Sequence, residues 1–156
     1  MNDLTTGKVL FCASAGGHLT ELLQLRPLIQ TFNGVIITEK TEIAKHLEFP
    51  TEFVPYSSRQ QRFSYPFKYF YVWILSFIYF LKYQPKIIVS TGVHSTIPLA
   101  FYGWLFRRHI IYIETIANVQ TATLTGRTMK LFASELYVQW EELLEVYPNA
   151  KLGRLF

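Results

Sequence analysis

Apolar residues along this chain fall into short continuous runs, separated by longer stretches of helical periodicity. Six runs read as strands: Val9–Ala13, Val35–Thr38, Glu52–Pro55, Ile87–Ser90, Ile110–Ile113 and Leu136–Gln139. They are mostly unbroken rather than alternating, the pattern of strands covered by helices on both faces. The segments between them, Leu19–Phe32, Glu42–Leu47, Phe67–Tyr83, Thr96–Phe106 and Thr125–Phe132, suit crossover helices. Pro27 is expected to kink or interrupt the first of these. Strand–helix alternation of this kind predicts an α/β fold, a Rossmann-like, doubly wound parallel sheet. Residues 1–156 contain no repeat and no low-complexity linker, so the chain reads as one domain. The stretch from Trp140 begins as a helix, which Pro148 ends.

Three of the predicted strands lead into loops with candidate chemistry. The first runs into Ser14-Ala15-Gly16-Gly17-His18, directly before a helix. Two glycines let the backbone turn tightly, and the free N–H groups of a helix start favour an anion such as phosphate. The segment matches neither the dinucleotide fingerprint nor a P-loop, and a tight turn with no ligand is the plainer alternative. The fourth strand leads into Ser90-Thr91-Gly92-Val93-His94-Ser95, whose hydroxyls can also serve as helix caps. In the strand order 3-2-1-4-5-6, strands 1 and 4 are neighbours and ligands bind between their carboxyl ends. The fifth strand ends in Glu114, with Asn118 beyond it as a binding or turn residue. His18 beside a phosphate-binding helix end can accept a hydroxyl proton, hydrogen-bond an anion, or simply cap its own helix. The candidate anion-binding residues are therefore Ser14, Gly16, Gly17, Thr91, Gly92, His94, Ser95 and Asn118, with His18 and Glu114 as candidate functional groups. No residues have metal-ligand spacing, and no Ser/His/Asp nucleophile elbow is present.

Composition adds the setting. Half of the residues are hydrophobic and only 17% are charged, which argues against long disorder. Ten Tyr and thirteen Phe supply more aromatic surface than one small core uses, pointing to a membrane or partner surface. A net charge of +4 suits anionic phospholipid or a phosphorylated substrate about equally. Nucleic acid is not expected, because there is no basic run and no Arg/Lys-rich helix. The single cysteine, Cys12, reads as a buried strand residue in a reducing compartment. The first residues lack a basic patch followed by an apolar stretch, so no signal peptide is expected and the protein is placed in the cytoplasm.

The aromatic segment refines that placement. Its uncharged part, Tyr69–Leu81, is shorter than the ~20 residues needed to cross a bilayer. Lys68 and Lys82 bracket it, and Tyr and Trp favour the headgroup zone. The segment from about 65 to 83 is therefore read as an interfacial helix, with one face on the sheet and the other in the cytoplasmic leaflet. Lys68, Phe70, Trp73, Phe77, Phe80 and Lys82 are the expected membrane contacts. A fully buried core helix and a transmembrane span are the alternatives.

Together these residues resemble the membrane-associated subunit of split GT-B glycosyltransferases. That family comprises the anchoring subunit of the two-component N-acetylglucosaminyltransferase of dolichol-linked oligosaccharide synthesis and bacterial capsule and exopolysaccharide counterparts. The chain is also similar to the N-terminal domain of MurG. The marks are Ser14-Ala15-Gly16-Gly17-His18-Leu19 with Glu21 and Leu22, Ser90-Thr91-Gly92, Tyr112-Ile113-Glu114 with Asn118, and Tyr147-Pro148-Asn149-Ala150 before Gly153-Arg154. The resemblance implies one GT-B half-domain that binds a lipid-diphosphate-linked saccharide at the cytoplasmic face of the plasma membrane. A separate donor-binding subunit would hold the UDP-sugar, which is a co-substrate, so no cofactor is implied. Transfer would invert the anomeric centre without a metal, with His18 or Glu114 as the base. The eukaryotic anchor segment is not seen, which implies the bacterial, capsule or exopolysaccharide form. The segment from about 140 to 156, with Arg154, Leu155 and Phe156, is expected to dock on the donor subunit. Two other readings stay open: a non-catalytic anchor that recruits a complete transferase, and a free-standing phosphate-binding Rossmann domain.

Overall fold

The fold is built on strands that alternate their side chains between two separate cores. In β1 (Val9–Cys12), Leu10 and Cys12 enter one core while Val9 and Phe11 enter the other. This is the strand period of two, applied to a sheet buried on both sides. A computed structural model describes residues 8–56, 63–92, 94–153 and 155–156. After β1 come α1 (Gly17–Gln24), α2 (Arg26–Thr31), β2 (Val35–Glu39), β3 (Thr51–Val54) and α3 (Tyr65–Tyr83). The second half contains β4 (Ile87–Ser90), α4 (Ile97–Leu105), β5 (His109–Ile113), α5 (Leu124–Met129), β6 (Glu135–Val138), α6 (Leu143–Val146) and β7 (Lys151–Leu152). All pairings are parallel, in the order β3-β2-β1-β4-β5-β6-β7. The predicted doubly wound sheet is thus present, and its order reverses between β1 and β4.

Local differences from the expected elements have local causes. The first predicted helix breaks at Leu25, and Pro27 occupies the first turn of α2, where its missing N–H leaves no bond unmade. Residues 42–47 form only a single tight turn, Ala44–His46. The α3 helix ends where Gln84 adopts a left-handed conformation, at φ 44°, just before Pro85. Cys12 is buried as expected; its thiol donates to the Val89 carbonyl at 3.2 Å, and burial pushes its pKa up to about 12.

The two helix layers differ. One core lies under α1 and α2 and includes Leu19, Leu22, Leu25, Ile29, Ile36 and Ile113. The other lies under α3, α4 and α5 and includes Val72, Phe80, Leu99, Ile110, Tyr112 and Met129. Each fully buried side chain of this size contributes about 1.5–3 kcal/mol.

The aromatic helix corrects part of the expected membrane face. Val72, Ser76 and Phe80 recur every four residues and form its buried stripe, so Phe80 is a core residue stacked on Phe106 at 5.0 Å. Trp73 packs edge-on against Phe101 and Tyr102 (5.3 and 5.8 Å), and Phe77 leans on Tyr102 at 5.0 Å. Lys82 is matched by Glu52 at 2.6 Å. The outward face carries the expected Phe70 and Phe77 together with Phe67, Tyr71, Ile74, Ile78 and Leu81. It extends onto Trp104, Leu105 and Phe106 at the end of α4, because α3 and α4 pack side by side. No helix among the described residues is long and apolar enough to cross a membrane.

The C-terminal segment, expected to dock on a donor subunit, is partly tied to its own sheet. Lys151–Leu152 pairs with β6 as an unpredicted seventh strand, and the Leu155 N–H donates to Gln139 Oε1 at 2.9 Å. Phe156 is half-buried against the chain's own core beneath α1. Leu155 keeps 41% of its surface exposed, and Arg154 lies outside the described residues.

Candidate active site

The loops after β1, β4 and β5 meet at the carboxyl edge of the sheet. Parallel pairing of β1 with both β2 and β4 brings the first two together, and the Ser14 N–H donates to the Gly92 carbonyl at 2.9 Å. Gly16 and Gly92 hold φ values of 88° and 103°, which side chains other than glycine rarely adopt. At Gly92 a Cβ would also meet His18 Nδ1 at 3.3 Å, so this loop needs glycine for close approach as well as for its turn. Gly16 and Gly17 are exposed, and the start of α1 has no side-chain cap. Its first N–H groups are therefore free to meet an anion.

His18 projects from the first turn of α1 into this edge, with 28% of its side chain exposed. Its Nδ1 lies 2.8 Å from the Thr91 carbonyl oxygen. A carbonyl only accepts, so Nδ1 carries a proton, and in the neutral ring the lone pair is on Nε2. Among the described residues Nε2 has no protein partner, which leaves it available as a proton acceptor at the crevice. Thr91 Oγ1 donates back to the His18 main-chain carbonyl at 2.9 Å, tying the start of α1 to the β4 loop.

Glu114 is placed very differently. It is 1% exposed and accepts from Tyr112 Oη (3.2 Å), Thr123 Oγ1 (3.1 Å), Tyr147 Oη (2.8 Å) and the Thr115 N–H (3.2 Å). A carboxylate with its lone pairs occupied by four donors, and sealed from solvent, organises the groups around it. Burial raises the pKa of both Tyr112 and Tyr147, and the Glu114 charge reinforces it. Gly126 is required here because a Cβ would fall 2.1 Å from Tyr147 Oη and 2.3 Å from Glu114 Oε2.

The other expected binding residues divide. Ser14 is buried at the loop entrance, and Ser90 Oγ accepts from the Gly92 N–H and donates to Thr96 Oγ1, bracing the second loop. Ser95 is buried, and its hydroxyl has no partner in the protein. The His94 ring lies 5.7 Å from those of Tyr65 and Tyr69, and its carbonyl accepts from Tyr69 Oη. That histidine links the second loop to α3. Asn118 bonds Thr121 within its own turn.

Several residues of the edge were not singled out for a role from the sequence. Glu21 is buried in α1 and accepts from Thr115 Oγ1 (2.6 Å) and the Ile116 N–H (3.1 Å), joining the first and third loops. Its position on the same helix face as Leu22 and Leu25 is the available signal, a charge among core positions. Glu39 ends β2, is 3% exposed and accepts from the Ala15 N–H at 3.3 Å. Among the described residues no group of three His, Cys, Asp or Glu side chains could hold a metal ion.

The fold is shared with solved structures. MurG of Acinetobacter baumannii superposes with a TM-score of 0.70 at 16% identity, over 87% of this chain and 42% of that one. A UDP-GlcNAc 2-epimerase of Methanocaldococcus jannaschii in complex with UDP-GlcNAc and UDP gives 0.68 at 11% identity, over 93% of this chain and 46% of that one. The chain thus spans less than half of either structure, as one Rossmann-like half of the GT-B architecture. In sequence it is 27% identical over 179 residues to the UDP-N-acetylglucosamine transferase subunit ALG14 of Mus musculus, covering 95% of this chain and 82% of the relative. It is 41% identical over 44 residues to the protein of the same name in Saccharomyces cerevisiae, covering 28% of this chain and 19% of that protein. The family described as "Oligosaccharide biosynthesis protein Alg14 like" matches residues 56–155, more than half of the sequence. The chain belongs to this Alg14-like family of oligosaccharide biosynthesis proteins.

Proposed function

We propose that this chain is the acceptor-binding, membrane-associated subunit of a two-component inverting glycosyltransferase. The substrate would be a lipid-diphosphate-linked saccharide, and the donor a UDP-sugar held mainly by a second subunit. The observation that carries the reading is His18: an imidazole with Nδ1–H bound to the Thr91 carbonyl and Nε2 open beside an uncapped helix start. Family membership supports the reaction class, since the mouse relative is named a transferase subunit and is matched over 82% of its length. Its name favours N-acetylglucosamine as the sugar and oligosaccharide synthesis as the setting. The capsule and exopolysaccharide destination draws no support from the relatives.

In this reading the N–H groups at the start of α1 and its dipole hold the acceptor's diphosphate. His18 Nε2 takes the proton of the acceptor hydroxyl as that oxygen bonds the anomeric carbon from the face opposite UDP. The bond to UDP breaks with its electron pair going to the departing diphosphate, so the centre inverts. Glu114 shapes the loop instead of exchanging protons. The face made by Phe67, Phe70, Ile74, Ile78 and Leu81 with Trp104, Leu105 and Phe106 rests on the bilayer that carries the acceptor. Exposed Arg107 and Lys130 are the neighbouring cations suited to anionic headgroups.

The test is reconstitution. Transfer of labelled sugar from UDP-N-acetylglucosamine to a polyprenyl-diphosphate-linked saccharide is measured with this chain alone, with a co-purified donor-binding subunit alone, and with both. Activity only in the mixture is expected. Full activity of the donor subunit alone would reduce this chain to an anchor.

A further inference from the structure

One buried carboxylate oxygen lies against the proposed base with no hydrogen bond of its own. Glu21 follows His18 by three residues, so both lie on one side of α1. Its Oε1 is occupied by Thr115 Oγ1 and the Ile116 N–H. Its Oε2 is buried, has no hydrogen-bond partner, and stands 3.7 Å from His18 Nδ1. His18 is the one basic side chain within ion-pair distance of Glu21 among the described residues. A buried carboxylate without a full set of donors is unfavourable, and Oε1 alone suffices to clamp the β5 loop. The second oxygen therefore calls for a reason other than packing.

The geometry points to Glu21 as a positioning residue for His18, an inference that rests on reading His18 as the base. The Thr91 carbonyl and Glu21 Oε2 both lie on the Nδ1 side of the ring. Together they favour the tautomer with hydrogen on Nδ1 and the lone pair on Nε2. When Nε2 takes the hydroxyl proton, the ring gains a positive charge, and the adjacent buried carboxylate stabilises it. This is the role of an acidic partner behind a catalytic imidazole, here supplied from the same helix. The proton goes to Nε2, and Glu21 receives none.

Glu21→Gln separates this role from a structural one. The glutamine oxygen still accepts from Thr115 and Ile116, while an amide N–H₂ replaces the oxygen facing Nδ1. In the assembled transferase, kcat is expected to fall by about 10–100-fold with KM for the lipid-linked acceptor unchanged. Independently of activity, ¹⁵N NMR of the full chain labelled at histidine is expected to show His18 protonated on Nδ1, and to show that form losing population in Glu21→Gln. A wild-type chain with the proton on Nε2 overturns the inference, as does a Glu21→Gln variant with unaltered kcat and tautomer. His18→Gln keeps the two readings apart. If it is inactive while Glu21→Gln is fully active, the base stands and the role of Glu21 fails. If it is fully active, the base reading itself fails.

Discussion

His18 and Thr91 hold each other by a reciprocal pair of hydrogen bonds, ring Nδ1 to the Thr91 carbonyl at 2.8 Å and Thr91 Oγ1 to the His18 carbonyl at 2.9 Å. The two residues are 73 positions apart, and the clamp closes the crevice where the strand order reverses. Thr91→Val preserves shape but removes the hydroxyl donor. A loss of about 1 kcal/mol is expected by chemical denaturation, because one hydrogen bond between the two loops is lost. Transfer activity should fall as well, since the helix start that carries His18 loses its tie to the β4 loop, although the ring keeps its bond to the Thr91 main-chain carbonyl. Unchanged stability and activity would remove the clamp from the account.

Glu114 separates organisation from chemistry. Glu114→Ala leaves two tyrosine hydroxyls, a threonine hydroxyl and one backbone N–H without their acceptor. The expected cost is about 3 kcal/mol, read as a lowered melting temperature. Tyr147→Phe removes only one donor and should cost about 1 kcal/mol with transfer retained. An inactive Glu114→Ala protein of wild-type stability would restore Glu114 as a candidate base.

The edge of the sheet carries a pH-dependent tie. Hydrogen bonds from Lys151 and then Tyr137, with His109 beyond, hold the Glu135 carboxyl down to about 2, below its ordinary 4.5. The folded value lies below the unfolded one, so this group's contribution is present above about pH 4.5 and is lost as pH falls toward about 2. Melting temperature measured across that interval should fall in the wild type and fall less steeply in Glu135→Gln. Equal slopes in the two proteins would contradict the assignment.

On α3 the buried and outward faces predict opposite phenotypes. Phe70→Glu changes an exposed ring and should weaken binding to phosphatidylglycerol vesicles with melting temperature unchanged. Phe80→Ala should destabilise the fold by about 3–5 kcal/mol, because it empties a core position. Vesicle flotation and thermal denaturation of both variants check the pair. Undiminished flotation of Phe70→Glu would remove that face from the membrane contact.

The strands and their order were legible because the central apolar runs fill strands buried on both faces, as at Val9–Cys12 and Ile87–Ser90. The loops at the carboxyl edge were legible from Gly16, Gly17, Gly92 and the helices behind them. Which of the two candidate catalytic groups faces the crevice was not. Glu114 is covered by Tyr147, 33 residues later, and no local pattern reports a contact of that range. Glu21 was visible as a family mark but carried no role until Thr115 and Ile116 were brought against it. For α3 the aromatic richness masked the four-residue period of Val72, Ser76 and Phe80. The short β7 has only two residues, too few to show a strand pattern.

The most direct test of the account is the rate of sugar transfer by the assembled two-subunit enzyme carrying His18→Gln. The account predicts that kcat falls at least about 100-fold while the complex assembles and binds acceptor normally. Transfer at the wild-type rate would contradict it and leave this chain without a part in the chemistry.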